Sequence, residues 1–210
     1  MGHRVGVYYR ERVTLAVCPG SFDPITLGHL DVVRRASLLF DEVVVGVARN
    51  ASKSALLDVG ARVALAEAAC ADLPTVRVVE VPGLLVDLCR ELGAVAVVKG
   101  LRGGADYDAE QPMALMNRHL SGVESVFLTA DPRYAHIASS MVKDVARHGG
   151  QVDDLVPPGV ADAVRRALGV PPPASPASTA TATHPTATPL PAPGGDTSPG
   201  SAAHPNQGVS

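Results

Sequence analysis

Cys18-Pro19-Gly20-Ser21-Phe22-Asp23-Pro24-Ile25-Thr26-Leu27-Gly28-His29 joins an apolar run, residues 14–18, to a helical pattern that ends near Phe40. A strand that breaks at Pro19-Gly20 and restarts as a helix puts Ser21, Phe22, Gly28 and His29 at one strand-to-helix edge. Open α/β sheets bind ligands at that edge. The new helix's unpaired N–H groups and positive dipole end favour anions. Gly28 has no Cβ, so a phosphate can approach its backbone, and His29 can add a hydrogen bond or a positive charge. Asp23-Pro24 is also a common turn pair, and Gly28-His29 is an ordinary way to begin a helix.

Working outward, strand and helix patterns alternate. Val32, Val33, Ala36, Leu39 and Phe40 are spaced by three and four and mark one buried helix face. Residues 42–48 form a β-branched run, as in a strand covered on both faces. A polar loop, 49–57, carries Lys53, and Asp58 then caps a helix to about Ala71 with Val63, Leu65, Ala66 and Ala69 as core candidates. Strands are expected at 76–81, 95–98 and 124–129, and a helix at 84–92. The Gly-rich, charged stretch 101–110 reads as a loop. A helix over 111–120 holds Pro112 in its first turn, where proline is tolerated. Ser139 and Ser140 are candidate caps for a helix to about His148, and a last helix spans 160–168. Five strands alternating with helices predict an α/β fold, a doubly wound five-stranded parallel sheet with right-handed crossovers.

At 210 residues the chain fits one domain with appendages: an extension, 1–13, a domain, 14–170, and a tail, 171–210. The tail holds ten of the 18 prolines and one charged side chain, Asp196, so disorder is expected there. A net charge of −3 and 3% aromatic residues argue against a nucleic-acid surface. No apolar run approaches the roughly 18 residues of a membrane helix, and the N-terminus shows no signal-peptide pattern. Cys18, Cys70 and Cys89 are widely spaced and form no metal-binding pattern, which fits a cytoplasmic protein and no protein-built metal site.

The opening stretch resembles the signature of the nucleotidylyltransferase superfamily, in which Thr or His, any residue, then Gly-His meets nucleotide phosphates; here Thr26 precedes Leu27-Gly28-His29. Further segments in order resemble the phosphopantetheine adenylyltransferases over about 14–169: Arg62-Val63-Ala64-Leu65-Ala66, Lys99-Gly100-Leu101-Arg102, Met116-Asn117-Arg118-His119, 137–145 and Ala146-Arg147-His148-Gly149-Gly150. The resemblance implies a Rossmann-like nucleotidylyltransferase fold. It also implies transfer of AMP from ATP to 4'-phosphopantetheine, giving dephospho-coenzyme A and pyrophosphate. The demand of such a transfer is to hold two polyanions in line and stabilise the leaving charge.

By that resemblance His29, Lys53 and Arg102 are catalytic. Ser21, Phe22, His29, Gly100, Leu101, Arg102, Glu110, Tyr134, Ala135, His136, Ile137, Ala138, Ser139 and Ser140 meet ATP. Ser21, Lys53, Leu85, Lys99, Met113 and Asn117 meet 4'-phosphopantetheine. Mg²⁺ with ATP, a homohexamer and feedback by coenzyme A are further family expectations. Three departures stand out: Ala109 where an aromatic is usual, Pro112 in the following helix, and Ala138-Ser139-Ser140 one hydroxyl short. They leave open a nucleotide-binding module without catalysis. The two lysines also leave open another phosphate acceptor, such as nicotinate mononucleotide or a small alcohol phosphate.

Overall fold

The computed structural model describes residues 13–49 and 54–172. The expected extension and tail therefore lie almost wholly outside the described residues, and Lys53 lies outside them too. The elements run β1 (Leu15–Gly20), α1 (Leu27–Ala36), β2 (Glu42–Ala48), α2 (Val59–Ala69), β3 (Val76–Val81), α3 (Leu85–Leu92), β4 (Ala96–Leu101), α4 (Gly104–Ser121), β5 (Glu124–Thr129), α5 (Ser139–Arg147) and α6 (Val160–Leu168). All strands are parallel, in the order β3-β2-β1-β4-β5. No helix among the described residues is long and apolar enough to cross a membrane.

The period of two along each strand sorts the core into two layers. Ala16, Cys18, Val43, Val45, Val47, Ala96 and Val98 face α1, α2, α5 and α6, meeting Leu30, Val33, Ala66, Val142 and Val160. Val17, Val44 and Val97 face the other way, toward Val86, Leu88 and Cys89 of α3. Val43, Val44, Val45 and Val47 are fully enclosed, each contributing about 1.5–3 kcal/mol. That double burial is why β2 reads as an unbroken apolar run.

The strand order reverses between β1 and β4. These two strands pair only at Ala16↔Ala96 and Val17↔Val97. β1 stays bonded to β2 as far as Gly20↔Val47, and β4 to β5 as far as Leu101↔Thr129. The strands thus part at their carboxyl ends and leave a crevice, the usual ligand position in such sheets.

Several expectations need correction. α1 stops at Ala36, capped by Ser37, and Leu39 is exposed rather than core. β4 runs on to Leu101, and α4 begins at Gly104 instead of 111, so the expected loop is two further helical turns. Pro112 consequently sits inside the helix, where it has no N–H for the preceding turn. Tertiary contacts offset that loss. Arg102 and Lys99 pair with Asp106 and Glu110, and the Tyr107 ring meets Phe127 edge-on at 5.4 Å. Ser139 and Ser140 are not caps: Ala138 is the N-cap of α5 and offers no side-chain bond.

Gly100 is dictated by packing. A Cβ there would lie 2.6 Å from Val32 Cγ2, and a β-branched side chain on α1 has little freedom to yield. Gly100→Ala should lower stability by about 1–3 kcal/mol in denaturant unfolding. Gly100→Ala/Val32→Ala should be closer to wild type than the sum of the two single changes; strict additivity would contradict the contact.

Candidate active site

A cleft of about 520 Å³ opens where β1 and β4 part. Its first wall is the β1–α1 turn. Gly20 has no side chain because Phe22 folds back over it; a Cβ there would meet the ring at 3.0 Å. Phe22 reaches this position with φ +46°, a left-handed conformation disfavoured for a bulky residue. The turn then delivers Thr26 as the N-cap of α1. The Thr26 N–H donates to His29 Nδ1 at 3.1 Å, and the His29 N–H donates to Thr26 Oγ1 at 3.3 Å, a capping box with histidine in the acidic residue's place.

That box decides what the imidazole does. Nδ1 accepts, so the ring proton sits on Nε2. Burial, then the charges of Arg102 and Lys99, push the His29 pKa down to about 4. The ring is neutral at pH 7 and offers a hydrogen bond; the positive charge allowed by the sequence is not available. Phe22 holds it from the side, ring centroids 5.2 Å apart.

Two cations come from the β4 end. Lys99 Nζ lies 3.0 Å from Glu110 Oε2, and Arg102 forms a two-pronged pair with Asp106 at 2.9 Å on both arms. The Arg102 guanidinium holds Asp106 below the usual carboxylate range. A phosphate entering the cleft must therefore exchange with carboxylates of α4. Cys18 lies at the cleft floor, where burial pushes its thiol up to about 12, so it is packing and not a nucleophile.

The opposite wall is the loop into α5. Ser139 Oγ donates to Pro24 O at 2.8 Å, tying the helix start to the β1–α1 turn. Tyr134, Ile137, Ala138, Ser139 and Ser140 line the cleft, as do Ser21, Phe22, His29, Lys99, Gly100, Arg102 and Glu110. Leu101, Ala135 and His136 adjoin lining residues without lining the cleft themselves. Leu85, Met113 and Asn117 do not line it either: Leu85 packs against the second core layer, Met113 is exposed, and Asn117 is buried on α4. Glu110, expected at the nucleotide, lines the cleft and pairs with Lys99.

Three lining groups escaped the sequence reading. Asp23 is buried, with Oδ1 accepting from Leu57 N at 2.9 Å and Oδ2 from Leu56 N at 3.0 Å and Lys143 Nζ at 2.7 Å. Burial alone would raise its pKa; the lysine and the two N–H donors outweigh that and hold it low. Arg62 is buried and donates to the carbonyls of Leu57, Ser21 and Ala48 at 3.2, 2.6 and 2.9 Å. A usable signal existed for Arg62, since it shares the i, i+4, i+7 face of Ala66 and Ala69. Asp23 and Lys143 gave none, being 120 residues apart in the chain.

Asp106→Asn and Glu110→Gln should each tighten binding of inorganic pyrophosphate about two- to fivefold by calorimetry, the range of a partly exposed ion pair. Unchanged or weaker binding would mean the carboxylates do not compete for these cations.

The family model for cytidylyltransferase-like proteins matches residues 17–145. A phosphopantetheine adenylyltransferase of Nocardioides sp. is 57% identical over 148 residues, 70% of this chain and 93% of that protein. One from Micrococcus luteus is 53% identical over 146 residues, covering 69% and 93% of the two chains. One from Bifidobacterium longum is 50% identical over 161 residues, covering 72% and 95%. A solved structure from Vibrio parahaemolyticus, named for a nicotinate-nucleotide adenylyltransferase, superimposes with TM-score 0.53 at 17% identity, covering 73% of this chain and 99% of that one, and bears on the fold alone. Sharing half or more of its aligned residues with proteins it spans almost end to end, the chain belongs to the phosphopantetheine adenylyltransferase family.

Proposed function

We propose that this protein transfers AMP from ATP to 4'-phosphopantetheine, releasing pyrophosphate and forming dephospho-coenzyme A. The observation that carries this reading is a neutral, pinned His29 facing the same crevice as Lys99 and Arg102. An acceptor phosphate oxygen attacks the α-phosphorus while the bond to the pyrophosphate oxygen breaks. The nucleophile is already an oxyanion, so no base is required. Nε2–H of His29 donates to the charge growing around the α-phosphate, a preorganised contact worth about 10²–10³ in rate. Arg102 takes the leaving pyrophosphate and Lys99 the acceptor phosphate.

Lys53 completes the acceptor side in this reading; Ser54 and Ala55, just after it in sequence, line the cleft. Mg²⁺ enters with ATP, held by phosphate oxygens. The cleft carboxylates Asp23, Asp106 and Glu110 are each engaged by a cation and make no ligand set for it. A homohexamer accords with Met113, Leu115, Met116 and Leu120 standing exposed along α4. A cytoplasmic location and feedback by coenzyme A belong to the same reading.

Pyrophosphate release should require both ATP and 4'-phosphopantetheine; its absence with pure protein and Mg²⁺ would reject the activity. His29→Ala should lower kcat about 10²–10³-fold with ATP affinity changed little. His29 should add no titration to kcat/KM for ATP between pH 5.5 and 8, because its pKa in the ligand-free protein is about 4. A fall in kcat/KM for ATP above pH 6.5 that His29→Asn abolishes would show that the charged ring acts. Because the folded pKa lies below the ordinary 6.5, the unfolded chain binds the extra proton between pH 4 and 6.5. Stability should therefore rise with pH across that window, and less steeply in His29→Asn.

A further inference from the structure

Asp23 sits between both walls of the cleft, and its contacts have no place in the chemistry described above. One carboxylate takes three donors from two directions. Leu56 N and Leu57 N belong to the segment leading into α2, while Lys143 Nζ comes from α5. The Leu57 peptide is gripped at both ends, its N–H by Asp23 and its C=O by Arg62 Nε. Arg62 also holds Ser21 O beside the β1–α1 turn and Ala48 O at the end of β2. Ser54 and Ala55, on the gripped segment, line the same cleft as Ser139 and Ser140. The polar path therefore runs α2, Arg62, Leu57, Asp23, Lys143, α5. Its charged members, Arg62, Asp23 and Lys143, all line the cleft.

We propose that Asp23 is a positioning residue for AMP transfer, fixing the span between the acceptor-side segment before α2 and the nucleotide-side helix α5. The role follows from the carboxylate's chemistry. A carboxylate has enough lone pairs for three donors, whereas an amide offers one oxygen and turns a donor toward the others. Two polyanions aligned for in-line displacement tolerate little drift: a misplacement of about 1 Å can cost on the order of 10² in rate. The inference rests on the AMP-transfer reading.

The test is Asp23→Asn in the full chain, which preserves shape and removes the charge. kcat per ATP-binding site, counted by calorimetry, should fall about 10–100-fold while the ATP dissociation constant stays within threefold. Amide exchange at Leu56 and Leu57 should quicken. A purely structural role would lower the unfolding midpoint yet leave kcat per binding site unchanged. A kcat within threefold of wild type overturns the proposal, as does unaltered exchange at both amides. Should the variant not fold, Arg62→Lys keeps the charge but cannot span three carbonyls, and the same split of kcat from ATP affinity is expected; its absence is equally fatal. Wild-type protein inactive with 4'-phosphopantetheine would reject the AMP-transfer reading instead, and the exchange at Leu56 and Leu57 would still decide whether Asp23 holds that segment.

Discussion

β1 is bonded to β2 along its whole length and to β4 only at Ala16 and Val17. Backbone pairing is obligatory for buried strands, so two neighbours that part must hand their polar groups to something else. Here they open toward a crevice, with Gly20, Ser21, Lys99 and Gly100 at its lips. The valines of β2 and β4 make this possible. They enclose the sheet so fully that the strands can separate at one end without loosening the core. Among the described residues, His29, Lys99 and Arg102, the groups assigned to phosphate handling, all line that opening.

Of the four described cations lining the crevice, three are paired with carboxylates before any ligand enters, and Arg62 holds backbone carbonyls. Lys99, Arg102 and Lys143 each face a carboxylate. Partly exposed pairs of this kind are weak, so multivalent phosphates can displace α4's carboxylates. The Asp23–Lys143 pair differs in that its carboxylate is buried, so removing the lysine strands that charge away from water. The two sorts of pair divide the labour, one exchangeable and one fixed.

Much of this was legible from the chain because the sheet is parallel and buried. β-branched runs gave the strands, and the Cys18–His29 stretch gave the turn, the helix start and the histidine. What stayed hidden depends on side-chain contacts that the pattern of residue types does not specify. Pro112 argued for a late helix start, yet ion pairs to Lys99 and Arg102 and the Tyr107–Phe127 contact hold two turns ahead of it. Ser139 looked like a cap and instead bonds Pro24 O, across 115 residues. The protonation of His29 required knowing that Thr26 N–H points at Nδ1. Leu85 packs with the second core layer, Met113 is exposed and Asn117 is buried on α4, distinctions that no spacing along the chain could supply.

The chain's three cysteines are all buried. Burial pushes Cys18 to about 12 and Cys70 to about 11, and raises Cys89 as well. None is a thiolate at neutral pH, and maleimides react with thiolates. A single cysteine engineered at an exposed position away from α4, such as Glu67→Cys, should thus take a maleimide fluorophore well ahead of the three native thiols.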